Sequence, residues 1–230
     1  MKQLFCLMLF LLNTLYSHSQ SFEPKVVDSL YKEDQFYIGI SYNLLRNKPD
    51  MLFQNGFSLG FHLGFIKDMP INKKRNIAIG LGLGYSANSF TQNLFIDKKN
   101  SNDFSYNVIV DRTSYSKNKF SNHLIEVPIE FRWRTSTAAK YNFWRVYTGV
   151  KLGYVLANTI KYKGDLGTVK YNKNEDFNNV QYGLTFCAGY NTWNLYLYYA
   201  LNPIFSNKAQ LNNSDINMNN IKIGLMFYVL

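Results

Sequence analysis

The chain has 230 residues, 47% of them hydrophobic and 17% aromatic, and a formal net charge of +10. That length suits one domain, and no internal run approaches the ~20 apolar residues of a membrane-spanning helix. Two cysteines and three histidines exclude a disulfide framework and leave no ligand cluster for a metal.

The chain opens with Lys2, the apolar run Leu4 to Leu12 and the small, polar stretch Ser17-His18-Ser19-Gln20. This describes a secretory signal peptide over residues 1–19, cleaved near Ser19. Cys6 lies inside its apolar core, too early for a lipoprotein attachment site, and Cys187 is the only cysteine left after cleavage. Residues 20–34 are polar and mixed in charge, as expected of a periplasmic N-terminal tail.

From residue 35 onward, apolar residues alternate with small or polar ones in eight segments. The first sets Phe36, Ile38, Ile40 and Tyr42 against Tyr37, Gly39, Ser41 and Asn43. The second sets Phe57, Leu59, Phe61, Leu63 and Phe65 against Ser58, Gly60, His62 and Gly64. In the third, Ile77 to Ala87, the face opposite Ile77, Ile79, Leu81, Leu83 and Tyr85 carries only Ala78, Gly80, Gly82, Gly84 and Ser86. A soluble strand turns a charged or amide-rich face to water; this second face is small instead, and leaves room for something. Further segments follow over 125–134, 144–156, 182–190, 194–201 and 221–229. The connections fall near 44–55, 67–76, 88–122, 135–143, 158–179, 191–192 and 202–218, alternately long and polar, then short. Outer-membrane barrels have that asymmetry, with long loops outside the cell and short periplasmic turns. The expected fold is all-β: an eight-stranded antiparallel up-and-down transmembrane β-barrel over 35–230, its lumen filled by side chains and both termini periplasmic.

Trp133, Trp144 and Trp193 all fall at the expected periplasmic boundary, with Tyr141, Phe143 and Tyr190 nearby, as a girdle at headgroup level requires. At the end of the chain, Lys222, Gly224, Phe227 and Val229 look like the terminal-strand signal read by outer-membrane assembly machinery.

Inward positions carry Glu126, Glu130, Arg132, Arg134, Arg145 and Lys151, with His62 from the second segment. Buried charges persist only when paired, so an ion-pair network is expected in the lumen. Glu126 and Glu130 are four residues apart on one strand, hence ~13 Å, too far for a shared proton or either glycosidase geometry. Pro128 in mid-strand calls for a bulge or a lost ladder bond. Gly80-x-Gly82-x-Gly84 lacks the spacing and following helix of a dinucleotide site. His123, Asp111 and Ser121 are the residue types of a lipid-modifying enzyme at an outer rim, but hydroxyls and acids are common in any loop. Lys67, Lys73, Lys74 and Arg75, with Arg132, Arg134, Lys140 and Arg145, describe either a basic periplasmic rim for anionic headgroups or an acidic partner, or charge neutralised inside the lumen. An exported barrel would not meet nucleic acid.

The segment Ile125-Glu126-Val127-Pro128-Ile129-Glu130-Phe131-Arg132-Trp133-Arg134 resembles the "E-x-P" strand of the PorT-like outer-membrane β-barrel proteins of Bacteroidetes. Residues 143–156, 182–190 and the final strand fit the same family, so the resemblance covers about 35–230. It implies a small, non-enzymatic barrel without cofactor, an anchor or accessory of an envelope assembly such as type IX secretion or gliding. The expected partners are outer-membrane lipid, the assembly machinery during biogenesis, and a secretion or periplasmic protein. The alternatives are a surface adhesin acting through its loops and, third, a narrow porin.

Overall fold

A computed structural model describes residues 32–100, 103–135 and 143–229. The signal peptide over 1–19, tail residues 20–31, and Lys140 and Tyr141 lie outside the described residues.

Thirteen strands are described in chain order: β1 Gln35–Arg46, β2 Leu59–Pro70, β3 Ile77–Thr91, β4 Leu94–Lys98, β5 Phe104–Val108, β6 Tyr115–Arg134, β7 Trp144–Gly164, β8 Gly167–Asn172, β9 Val180–Tyr190, β10 Trp193–Ala200, β11 Gln210–Leu211, β12 Ser214–Asp215 and β13 Asn219–Val229. Eight of them close into a barrel in the order β1-β2-β3-β6-β7-β9-β10-β13, and β13 pairs back onto β1. Every pair is antiparallel, so each strand's partners are its neighbours in the meander, and no edge of the barrel is left open.

The short connections 71–76 and 191–192 lie at one end, together with the end of β6, the start of β7, the start of β1 and the end of β13. We call this the turn end. Asn191 supplies the positive φ (54°) that a two-residue turn demands. The other end carries the long connections, which hold the β4–β5 and β11–β12 hairpins and β8, an extension hydrogen-bonded to β7.

The alternation becomes a partition. Phe36, Ile38, Ile40, Leu81, Leu83, Leu152, Leu184, Leu195 and their like point outward and stay exposed, while the intervening residues fill the interior. From Ile125 to Trp133 the outward apolar row covers roughly 20 Å at ~3.3 Å per residue and ~40° tilt, close to the ~25 Å band of such barrels.

The small face of β3 is occupied. A Cβ on Gly80 would meet the Arg132 stem at 2.7 Å, and one on Gly82 would meet Ile66 at 2.7 Å. The Tyr37 hydroxyl from β1 lies over Gly84. Opposite Pro128 the β3–β6 ladder lapses between the Leu81–Ile129 and Gly84–Glu126 pairs without changing register, and the β7 side stays paired. The ladder bond is lost at the proline, whereas the bulge falls elsewhere, between His123 and Leu124 opposite β7.

β6 and β7 run to 20 and 21 residues, well past the 125–134 and 144–156 segments read from sequence. In their added parts the pattern inverts: Phe120, Ile160 and Tyr162 point inward, and Lys119, Ser121, Thr159 and Lys161 outward. That is the pattern of a sheet in water. The bulge sits where one pattern gives way to the other.

Candidate functional site

The interior consists of three layers. At the turn end Asp68 of β2 receives both guanidinium arms of Arg134 (2.7 Å each) and one arm of Arg132 (2.8 Å) from β6. This is the fork-to-carboxylate geometry that suits arginine. Glu33, just before β1, closes the group: its backbone N–H donates to Asp68 (3.3 Å), its carbonyl accepts from Arg132 (3.2 Å), and its carboxylate lies 3.8 Å from Arg134 Nε. Arg132 also donates to Gln35 and stacks on Tyr147 at 4.1 Å. Residues 32–34 had been expected to belong to a periplasmic tail, but Glu33 is fully buried in the barrel mouth.

In the middle layer, Glu126 sits between two ammoniums, Lys151 at 3.2 Å and Lys222 at 3.7 Å. Ser86 donates to it (2.7 Å), and His62 lies 3.9 Å away with its other nitrogen on Ser41 (3.0 Å). Lys151 donates to the Tyr196 hydroxyl (3.0 Å). Glu130 meets Arg132 Nε at 3.7 Å. Back at the turn end, Arg145, the ladder partner of Arg134, faces the rings of Phe143 (4.5 Å) and Tyr228 (5.3 Å).

Toward the loop end, a stratum of Asn43, Asn88, Asn118, Asn122, Asn158, Asn220 and Gln181 is buried above the charges. Over it lies a hydrophobic core in which barrel residues Leu45, Phe90, Phe120 and Ile160 meet residues of the long connections such as Leu94, Tyr106, Phe177, Ile204, Phe205 and Met218. Phe205 packs on Phe177 at 4.5 Å and on Phe120 at 5.4 Å between ring centroids. The loops are polar in composition, yet they form a packed cap.

Asparagines clasp the cap together. Asn93 donates to the carbonyls of Met51 (3.0 Å) and Ile109 (2.9 Å) and accepts from Phe53 N–H (2.8 Å). Asn178 holds the carbonyls of Pro203 and Phe205. Buried Tyr106 donates to Asp176 (2.7 Å) and accepts from Asn174 (3.0 Å); burial first, and then Asp176, push its phenol well above the ordinary value.

The inward charges singled out from sequence all fall among the described residues. Glu126, Glu130, Arg132, Arg134, Arg145 and Lys151 all face the lumen, but in two clusters rather than one network. Arg145 has no carboxylate partner among the described residues and rests on aromatic rings. Sequence reasoning missed Asp68 and Glu33, and it assigned Lys222 to the terminal-strand signal, not to the charged interior. Gly224 lies against the backbone of Ile40 and Ser41, Phe227 against Trp193 (5.5 Å), and Val229 pairs with Phe36.

Trp133, Trp144 and Trp193 stand outward at the turn end, 39%, 59% and 66% exposed, with Tyr190 beside Trp144 at 5.2 Å. Phe143, expected in the same girdle, is buried instead beneath Arg145. Of the two readings of the basic turns, Arg132, Arg134 and Arg145 follow the second, since all three are buried in the lumen, whereas Lys67, Lys73 and Lys74 remain exposed. His123 bonds Tyr85 (2.5 Å), Ser121 bonds the Thr159 carbonyl, and Asp111 caps a 3-10 turn at Thr113 (2.8 Å), so each of the three bonds a residue outside the set. Among the described residues no group of three or more His, Cys, Asp or Glu side chains is placed to hold a metal.

A closed, eight-stranded antiparallel barrel with an apolar exterior and a polar, filled interior defines an outer-membrane-type barrel. Residues 18–206 match the family model described as "Outer membrane protein beta-barrel domain", and the chain belongs to that family. Its location is accordingly the outer membrane. A comparison with curated proteins finds no match.

Proposed function

We propose that this is a non-conducting, non-enzymatic outer-membrane barrel whose cap faces out of the cell and serves as the contact platform of an envelope assembly. One observation carries the reading: side chains close the lumen at both ends, and the chain's longest strands extend beyond the apolar band to build a packed cap. An eight-stranded barrel has an interior just wide enough to be filled in this way. The short turns and both termini would then be periplasmic, after removal of the signal peptide. The resemblance to PorT-like proteins of Bacteroidetes points to type IX secretion or gliding machinery as that assembly.

Crosslinking and affinity purification from native outer membranes test the proposal. Recovery of secretion or gliding components is the expected result. Failure to recover any stable partner favours the second reading, a surface adhesin using the same cap. Steady ion conductance in a planar bilayer would overturn the sealed-lumen reading, and with it both of these.

A further inference from the structure

Where β6 and β7 leave the apolar band, their outward face is layered in rungs that cross the strands. Ile125 and Tyr154 end the apolar exterior. Above them lie His123 paired with Ala157, then a hydroxyl and amide rung of Ser121, Thr159 and Asn172. Next come three lysines directly opposite one another on adjacent strands: Lys119 of β6, Lys161 of β7 and Lys170 of β8. A further rung adds Lys117 and Lys163. No acid points outward from these stretches of the three strands; exposed Asp111 and Asp165 occupy tip turns, and exposed Glu175 lies in the groove after β8 beside Lys173 and Lys208.

Cross-strand neighbours lie ~5 Å apart, and like charges there destabilise a sheet. Burial, together with the adjacent Lys161 and Lys117 ammoniums, holds Lys119 below the ordinary lysine value. Protection of an open edge accounts for Lys170 at most, because Lys119 and Lys161 occupy interior ladders. An unfavourable cluster in a sheet is what an anionic ligand would neutralise.

Height selects the ligand. Six residues separate Ile125 from Lys119, which at ~3.3 Å each and ~40° tilt places the lysine rung roughly 15 Å above the apolar boundary. The phospholipid headgroup layer is only ~5–8 Å deep. Phosphates at the lysines must therefore be carried on something longer, and the hydroxyl and amide rung below them suits sugar hydroxyls. Beside it the β7 bulge opens a groove of about 660 Å³, lined by Tyr154, Leu156, Thr159, Asn172, Lys173, Glu175 and Lys208, which runs from the apolar exterior to the polar rungs.

We propose that this face binds the phosphorylated saccharide headgroup of an outer-leaflet glycolipid, with phosphates on Lys119, Lys161 and Lys170 and acyl chains along Tyr154 and Leu156. The assignment rests on the reading that the cap faces out of the cell.

The test uses the full barrel in detergent micelles with bisphosphorylated lipid A, dephosphorylated lipid A and phosphatidylglycerol as probes, and native mass spectrometry as readout. Each lysine near an anionic group contributes about fivefold in affinity, so the triple Lys119→Gln, Lys161→Gln, Lys170→Gln variant should bind bisphosphorylated lipid A about a hundredfold more weakly. The triple Lys→Arg variant should retain binding, and dephosphorylated lipid A should bind like the Gln variant. Heat-modifiable migration checks that each variant folds. Unchanged binding by the Gln variant overturns the site, and equal lysine-dependent binding of phosphatidylglycerol overturns the glycolipid assignment. Orientation is read separately, by labelling Thr168→Cys on intact cells with a membrane-impermeant maleimide; Cys187 is buried and should stay silent. Absence of labelling overturns the outward cap. Labelling with unchanged binding overturns the site alone.

Discussion

At Asp68 one buried carboxylate makes the shortest contacts to two buried guanidiniums, with Glu33 and Glu130 farther off, and a third cation, Arg145, lies near the same mouth beside aromatic rings. Removing one partner of a buried pair costs more than the pair contributes, because the survivor is left charged in a dry interior. Asp68→Asn removes the nearest carboxylate of both Arg132 and Arg134 and leaves them only the longer contacts with Glu130 and Glu33, and should lower stability by about 3–5 kcal/mol. Glu130→Gln removes only a 3.7 Å contact with Arg132 and should cost less. Urea unfolding of both variants in lipid vesicles compares them, and a loss at Asp68 no larger than at Glu130 would refute the plug's dependence on that carboxylate. The inward charges were legible in the sequence because strand alternation assigns each residue a face. Their partners were not. Asp68 lay beyond the Phe65 end assigned to its strand, and Glu33 preceded the first alternating residue, so both were read as connection or tail.

At the scale of elements, β6 and β7 each join two kinds of strand end to end. Below the bulge they are apolar outside, and above it apolar inside, as the surroundings change from lipid to water. The upper halves were hidden in the sequence for that reason: a template of outward apolar residues fails where the polarity inverts, and Tyr115 to Leu124 then reads as a polar loop. The cap core was hidden too, since Phe177, Ile204 and Phe205 come from irregular segments with no period to betray them. Tyr106 ties that core to Asp176, and its folded phenol is raised above the ordinary 10.0. A raised folded value means the stabilisation is complete below pH 10 and declines as pH rises beyond it, where ionised Tyr106 would face the Asp176 carboxylate. Protease resistance of the cap should therefore hold to about pH 10 and fall above it. Tyr106→Phe leaves Asp176 without its donor, at a cost of about 1–3 kcal/mol, and should flatten the alkaline decline. A decline of the same size in that variant would assign the effect to another group.

For the whole molecule, the two ends of the apolar exterior differ in kind. All three tryptophans of the chain stand at the turn end. The loop-end boundary is marked by tyrosines instead: Tyr42, Tyr154, Tyr182 and Tyr199, each at least a third exposed. Amphipathic rings at both margins hold a barrel at a fixed depth, because sinking buries a polar edge and rising exposes an apolar one. The barrel's level in the membrane thus follows from the same alternation that closes it, and the cap's place outside the bilayer follows from where that alternation inverts. Tryptophan fluorescence, excited selectively over tyrosine, reports on this placement without any substitution, since all three tryptophans lie in one belt. In vesicles of brominated lipids, quenching should be strongest with bromines near the glycerol end of the acyl chains and weakest with bromines near the chain termini. Stronger quenching at the chain termini would place the tryptophans at the bilayer centre. The apolar band would then have to move toward the turns by about half its ~25 Å height, stranding exposed Leu152, Leu184 and Leu195 at its far margin.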